Sequence, residues 1–306
     1  MKINNKIIGH NYLFQHLIEL YQRNTLPNKI LLSGKKGIGK FLFSNHFVNY
    51  ILSQDEEYKY ILKNFEVNSQ NKSYLLFKKN THPNIFLLTK NINNKYIEIS
   101  QIREMIKFQY QSSFDNKIKS IIIDDLEYLN INSTNALLKS IEEPNRNVLF
   151  ILINNSEKNI TTTLKSRCIE FKLTLKYKDI EFIVNNYFDQ EIYQYISLDF
   201  KNYYTSPSFL INLIDFFNNS SIDYKNFTIE DFLLYLIKNK SYSKNKFINE
   251  NLNNFIELFF YKNINRSKKI SYNIKEYFYT NLFQICKYNL DLETFFLEFE
   301  DQLLSE

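Results

Sequence analysis

The 306-residue chain is poor in the residues that interrupt regular structure, with only four glycines and four prolines. Because glycine and proline supply many of the turns between short strands, their scarcity favours helices over an all-β fold. It also makes any cluster of glycines informative, since glycine is used where the backbone must bend sharply or approach a ligand closely.

Cysteine is also scarce: Cys168 and Cys286 are the only two, far apart in sequence and without partners at metal-ligand spacing. This excludes a disulfide framework and a zinc module, and it predicts a reducing, cytoplasmic setting. No stretch reaches the ~18 uninterrupted apolar residues of a membrane span, and the first residues lead into no apolar run of a signal peptide. We therefore expect a cytoplasmic protein with no bound metal and no membrane partner.

Aromatic side chains are abundant, with 28 phenylalanines and 23 tyrosines but no tryptophan. The 38 basic and 33 acidic side chains leave a net charge of +5. This small positive excess permits contact with nucleic acid but does not require it.

Three of the four glycines, Gly34, Gly37 and Gly39, fall in a seven-residue stretch that ends at Lys40. The stretch lies between a short apolar strand pattern and a helical pattern, which is the context of a phosphate-binding loop. In such a loop, backbone N–H groups and a lysine surround phosphate oxygens. We interpret these four residues as a nucleotide-binding loop; the alternative is a tight strand-to-helix turn that binds nothing.

Phe41 occupies the position at which phosphate-binding loops carry a serine or threonine. That hydroxyl ligates the magnesium ion between the terminal phosphates, and a phenyl ring cannot do so. The sequence therefore predicts the fold of a phosphate-binding loop with a weakened magnesium site.

Polar side chains follow two apolar runs of strand character. Residues 120–123 are followed by Asp124 and Asp125, and residues 148–153 by Asn154 and Asn155. A buried parallel strand with carboxylates at its carboxyl end could present them to the magnesium of a nucleotide held by the glycine loop. The alternative is an ordinary strand that ends in a polar turn.

Strand and helix patterns alternate over the first 170 residues and predict an α/β fold with a parallel sheet. The strand patterns are 29–33, 81–88 with a turn at Pro83, the strand end 97–100, 120–123, 148–153 and 169–171. We expect Ser100 or Gln101 at the start of one helix and Asn132 or Ser133 as the N-cap of another. Pro144 would end the second helix.

Beyond residue 175 the apolar residues recur at helical spacing. Polar stretches near 218–223 and 238–246 are interpreted as connectors. We expect two helical units with a boundary near residue 220.

Several short motifs together resemble one known family. The run from Asn135 to Pro144 is its most specific motif, and Ser166-Arg167-Cys168 is a second. Smaller matches are Leu26-Pro27-Asn28, His82-Pro83-Asn84 and Ile102-Arg103. Over residues 6 to 215 the chain resembles clamp-loader subunits of the AAA+ class, particularly those of the delta-prime type in bacterial DNA polymerase III.

The resemblance implies an AAA+ P-loop domain over 1–172, a small helical lid over 173–220 and an all-α collar over 221–306. In this family the collar joins gamma/tau, delta and delta-prime subunits in a pentameric ring. The ring opens the sliding clamp and loads it onto primer–template DNA during replication.

The resemblance also assigns roles to residues. Arg167 would be an arginine finger that reaches the nucleotide of a neighbouring subunit, because a planar, permanently charged guanidinium stabilises charge on the transferred phosphoryl group. Asn154 or Asn155 would be the first sensor of phosphate or water, and Asp124 with Asp125 would form the Walker B-like pair. The alternative for Arg167 is a surface salt bridge at a helix end.

Three departures from the family pattern concern hydrolysis. Phe41 replaces the hydroxyl, Asp125 stands where glutamate is usual, and Thr205 to Phe209 carries no second-sensor arginine. Because an ATPase needs these groups together, we expect a subunit that does not hydrolyse ATP, although its loop could still hold ATP or ADP. One alternative is a gamma/tau-like motor subunit, and another is an unrelated AAA+ DNA-binding protein.

Overall fold

The computed structural model describes residues 5–91, 94, 96–143, 147–156, 159–201, 205–225, 227–263, 271–288 and 290–304. The chain divides into two compact units, residues 1–183 and 184–306. Pro144, Arg266, Lys268 and Lys269 lie outside the described residues. The finer division of the helical part at residue 220 stays a prediction.

The first unit is built around a five-stranded sheet in the order β2-β3-β4-β1-β5, and all of its neighbouring strands are parallel. The strands are β1 (Lys29–Ser33), β2 (Ile85–Leu88), β3 (Lys119–Ile123), β4 (Val148–Asn154) and β5 (Ile169–Lys172). Every residue of β3 and β4 is buried. Their continuous apolar runs are therefore the signature of strands covered on both faces.

The strand register determines which loops meet. Ser33 at the end of β1 pairs with Asn154 at the end of β4, and Ile123 at the end of β3 pairs with Leu152. The segments that follow these three strands consequently emerge at the same edge of the sheet, where ligands of open parallel sheets bind.

Helices cover both faces of the sheet. They are α1 (Asn11–Gln22), α2 (Lys40–Leu52), α3 (Lys72–Lys78), α4 (Ile99–Tyr110), α5 (Ile131–Glu142), α6 (Thr162–Lys165) and α7 (Tyr177–Phe188), the last of which crosses into the second unit. Met105 of α4, Ile141 of α5 and Leu164 of α6 belong to one buried cluster with side chains of the central strands. This cluster fixes the positions of α5 and α6, which carry part of the site described below.

One predicted helix start is confirmed and one was wrong. Ser100 and Gln101 lie in the first turn of α4, which begins at Ile99 after the N-cap Glu98, and Gln101 completes its capping box from the third position. Asn130, not Asn132 or Ser133, is the N-cap of α5, and its side chain accepts a hydrogen bond from the Ser133 N–H. Local sequence offers several capping residues, and the tertiary packing decides among them.

The predicted strand end at 97–100 was also wrong. Ile97 forms only an isolated bridge with Leu129, and α4 already begins at Ile99. The segment 53–80 between α2 and β2, called the insert below, contains one regular α-helix among the described elements, α3. Within this insert, the Glu56 carboxylate accepts hydrogen bonds from the backbone N–H groups of Lys72 and Ser73 at the start of α3.

The second unit is helical. Its helices are α8 (Leu198–Lys201), α9 (Pro207–Asn219), α10 (Ile229–Asn239), α11 (Ser241–Lys244), α12 (Lys246–Glu250), α13 (Leu252–Asn263), α14 (Tyr272–Tyr288) and α15 (Leu292–Phe299). The connector predicted at 238–246 thus includes a short helix, α11. The predicted fold class, a parallel P-loop-type sheet followed by an all-α region, is confirmed.

Phenylalanines form much of the core of the second unit. The ring of Phe232 lies 5.8 Å from Phe200, 5.5 Å from Phe217 and 4.8 Å from Phe255, measured between ring centroids. These contacts join α8, α9, α10 and α13 in one aromatic core. Among the helices described, none is both long enough and apolar enough to cross a bilayer.

Candidate functional site

The glycine loop connects β1 to α2 and contains backbone conformations that favour glycine. Gly34, Gly37 and Gly39 have φ angles of 152°, 81° and 91°. A Cβ atom on Gly34 would lie 2.5 Å from the backbone oxygen of Leu173, whereas one on Gly39 would meet nothing within 4 Å. Gly34 is therefore required for packing as well as for its φ angle, and Gly39 for its φ angle alone.

Lys40 is the first residue of α2, and its side chain folds back under the loop. The residue is only 3% exposed, and its Nζ donates hydrogen bonds to the carbonyl oxygens of Gly34 at 2.8 Å and Lys35 at 2.7 Å. The buried ammonium is thus solvated by backbone oxygens of its own loop.

Phe41 faces another aromatic side chain. Its ring centroid lies 6.5 Å from that of Phe77 on α3. The position that carries a cation ligand in phosphate-binding loops is consequently part of an apolar contact with the insert. The sequence identified Phe41 but gave no indication of its partner, which is 36 residues away.

Asp124 and Asp125 follow β3 and lie beside Asn155, which follows β4. The Asn155 Nδ2 is 3.4 Å from Oδ1 of Asp124 and 3.2 Å from Oδ1 of Asp125. Burial and the neighbouring Asp125 carboxylate raise the pKa of Asp124, while the Asp125 N–H, the Asn155 amide and the charge of Lys40 oppose that rise. Asp125 itself has a left-handed backbone, with φ 56°.

The two asparagines at the end of β4 have different surroundings. Asn155 contacts the acidic pair, whereas the Oδ1 of Asn154 accepts a hydrogen bond from the Ser156 N–H. Glu127, a buried residue that the sequence analysis missed, accepts a hydrogen bond from the Asn155 N–H at 3.2 Å. Its place two residues after Asp125 was the only available signal. Of the two sensor candidates, Asn155 is the one that contacts the acidic pair, and the sensor role itself stays a prediction.

Arg167 lies on the turn between α6 and β5 and makes its contacts away from the acidic pair. Its Nε donates to Oε1 of Glu142 at 2.8 Å, its Nη2 is 2.7 Å from the same oxygen, and its Nη1 donates to the Thr163 carbonyl at 2.9 Å. The side chains of Arg167 and Glu142 are 37% and 47% exposed. Arg167 therefore does form a surface salt bridge, the alternative considered from the sequence, but one that leaves its guanidinium accessible.

The segment Thr205 to Phe209, which carries no second-sensor arginine, forms the beginning of α9. Ser206 is the N-cap of α9, with its side chain accepting from the Phe209 N–H, and Pro207 occupies the first turn of that helix. Serine at the N-cap and proline directly after it are the usual beginning of a helix.

The residues around the loop suit a phosphate group better than they suit its magnesium ion. The N-terminus of α2, the open space at Gly39 and the ammonium of Lys40 match an anion. The aromatic side chain of Phe41 offers no oxygen to a cation. Within the described ranges, no group of three or more His, Cys, Asp and Glu side chains is placed to hold a metal ion.

Sequence comparisons cover mainly the first unit. A family model described as DNA polymerase III, delta subunit, matches residues 9–176, more than half of the chain. The chain is 31% identical to the DNA polymerase III subunit delta' of Pseudomonas aeruginosa over 140 residues, which are 46% of this chain and 41% of that protein. It is 28% identical to the DNA polymerase III subunit gamma of Buchnera aphidicola subsp. Schizaphis graminum over 220 residues, 64% of this chain and 54% of that protein.

The chain thus spans about half the length of these curated relatives. Among solved structures, the Thermotoga maritima RuvB Holliday junction branch migration motor has a TM-score of 0.45 and 15% identity, covering 95% of this chain and 86% of that one. This structural similarity is too weak to support an argument, so the assignment rests on the family match. The match confirms the resemblance to clamp-loader subunits, and the chain belongs to the family described as DNA polymerase III, delta subunit.

Proposed function

We propose that this chain is a delta-prime-type subunit of the DNA polymerase III clamp loader and that it does not hydrolyse ATP itself. In this proposal, Arg167 acts as an arginine finger in the ATP site of a neighbouring subunit. The observation that carries the proposal is the exposed, oriented guanidinium of Arg167 on a turn of the sheet domain. A finger used in trans must lie at the surface, and it must be a permanent cation with several donors.

The chemistry asked of Arg167 is electrostatic. In phosphoryl transfer the departing and attacking oxygens share growing negative charge with the phosphoryl oxygens, and a guanidinium placed against them stabilises that charge. Arg167 needs no proton transfer to do this, because its charge is permanent.

The chain's own loop supports a binding role without hydrolysis. Lys40 and the N-terminus of α2 can hold phosphate oxygens, so ATP or ADP can bind there. The contact between Phe41 and Phe77 provides no magnesium ligand, and Asp125 is a methylene shorter than the glutamate of active relatives. In this proposal the loop has kept its structural role and lost its catalytic one.

The assembly follows from the same proposal. The partners are gamma/tau and delta subunits of a pentameric loader, and through the complex the sliding clamp and primer–template DNA. Support comes from relatives that are themselves named as DNA polymerase III subunits.

The test is an ATPase assay of the complex reconstituted with the loader subunits of the same organism. Arg167→Ala should leave assembly intact and lower the turnover of the whole complex by about 10³-fold, the usual scale for an arginine finger. Arg23→Ala, which removes another exposed arginine of the same unit, is the matched control and should change little. Unchanged turnover with Arg167→Ala would contradict the proposed role of Arg167 as an arginine finger.

A gamma-like motor subunit is the second candidate, because the match to a gamma subunit extends over 220 residues. It predicts magnesium-dependent ATP hydrolysis by the isolated chain that disappears in Lys40→Ala. Our proposal predicts no ATP hydrolysis by the isolated chain, with or without Lys40→Ala.

A further inference from the structure

We propose that Glu142 is a positioning residue for Arg167: its carboxylate holds the guanidinium in the orientation in which it meets the neighbour's nucleotide. This inference rests on the proposed function. It concerns the contact between the last residue of α5 and the turn after α6, which are 25 residues apart in sequence.

Arg167 uses only part of the donor capacity of its guanidinium in its contacts with the described residues. An arginine side chain has five N–H donors in a rigid, planar arrangement. Glu142 accepts from Nε and Nη2, and the Thr163 carbonyl accepts from Nη1. Among the residues that the structure describes, three donors are thus used, and two remain for a phosphate oxygen. An arginine bound in this way is fixed without being fully occupied.

The two residues that accept hydrogen bonds from Arg167 are adjacent to buried core residues. Glu142 directly follows Ile141, which is fully buried, and Thr163 directly precedes Leu164, which is 2% exposed. Ile141 and Leu164 belong to the same core cluster. Both acceptors of the guanidinium are therefore attached to one packed core, as a precisely held functional group requires.

The rest of the Ser-Arg-Cys motif supports the same orientation. The Ser166 hydroxyl donates to the Thr163 carbonyl at 3.1 Å, the oxygen that also accepts from Arg167. Cys168 packs partly buried against the core cluster. The residues on either side of Arg167 thus fix the turn, and Glu142 fixes the side chain.

Folding stability does not explain the contact between Arg167 and Glu142. Both partners are more than a third exposed, and surface ion pairs of this kind contribute little to folding. Freeing a long side chain, however, restores its rotamer entropy and misplaces its charge, and small misplacements are costly in catalysis. The effect of Glu142 should therefore appear in turnover rather than in folding.

The test compares Glu142→Ala, Glu142→Gln and the adjacent Glu143→Ala in the reconstituted complex. We expect Glu142→Ala to lower kcat for ATP about tenfold with KM within twofold, since orientation is lost but binding is not. Glu142→Gln keeps an acceptor oxygen and should restore most of the rate. Glu143→Ala should have no effect, and in an Arg167→Ala background Glu142→Ala should add nothing.

Several outcomes would overturn the inference. Unchanged or raised turnover in Glu142→Ala would mean that the carboxylate is passive or competes with the phosphate for the guanidinium. Equal impairment in Glu142→Gln would show that an acceptor atom does not orient Arg167. If Arg167→Ala abolishes turnover while Glu142→Ala does not, only the positioning role fails; if Arg167→Ala has no effect, the proposed function fails first.

Discussion

The glycine loop and the turn after α6 each contain a cation that the chain contacts closely, but they use it in opposite ways. Lys40 is almost completely buried, and its ammonium donates to two carbonyls of its own loop. Arg167 is at the surface, where a carboxylate and a carbonyl hold part of its guanidinium. The loop encloses its cation, whereas the turn presents its cation outward.

Under the proposed function, this difference separates a structural use of charge at Lys40 from a catalytic use at Arg167. An ammonium removed from water must be surrounded by oxygens, so Lys40 is needed for the loop to keep its shape whether or not a nucleotide binds. A half-exposed arginine contributes little to folding, and under the proposed function the contacts that orient Arg167 serve the ATP site of the neighbouring subunit. Substitutions in the loop should therefore change stability, and substitutions at the turn should change the activity of the assembly.

Gly34→Ala should have the largest effect on stability. The new Cβ would overlap the Leu173 backbone oxygen, which cannot move aside as a flexible side chain could. We expect a loss of about 3 kcal/mol or more, since strain in φ and overlap act together. Urea unfolding measures it, with Gly39→Ala as the control, because that Cβ enters open space and only the φ strain, about 1 kcal/mol, remains. Equal losses would show that the close approach at Gly34 is unimportant.

The loop could be read from sequence because all of its signals are local. The cluster of glycines lies directly between a strand and a helix, and all three signals fall within about 20 residues. The strands β1, β3 and β4 were predicted because buried parallel strands are continuous apolar runs. The partners that define the site are not local. Phe77 beside Phe41, Glu127 beside Asn155 and Glu142 beside Arg167 become neighbours only when the sheet forms.

Lys40→Met should have the second largest effect and tests the contrast most directly. Methionine fills similar space but leaves the carbonyls of Gly34 and Lys35 without this donor in a buried site, which costs about 2 kcal/mol. Arg167→Met, the matched change at the turn, should cost less than about 1 kcal/mol because its partners can turn to water. The unfolding midpoints of the two variants measure this difference. A larger loss of stability in Arg167→Met than in Lys40→Met would contradict it.

Asp124→Asn should have the smallest effect and the opposite sign. Because burial and the neighbouring carboxylate raise the pKa of Asp124, the folded state holds its proton more tightly than the unfolded state, and stability falls as pH rises through that pKa. At pH 7 the charged carboxylate is therefore a cost, and removing it should slightly stabilise the chain. The gain should shrink as pH falls and vanish below 3.8, the ordinary pKa of the group.

Glu142→Gln removes the carboxylate at the end of α5 that contacts the turn, and it should instead destabilise slightly, because that charge is exposed and paired. Urea unfolding of both variants at pH 7 and at pH 3.5 measures the two signs, and a destabilised Asp124→Asn at pH 7 would show that its hydrogen bonds outweigh the burial of its charge.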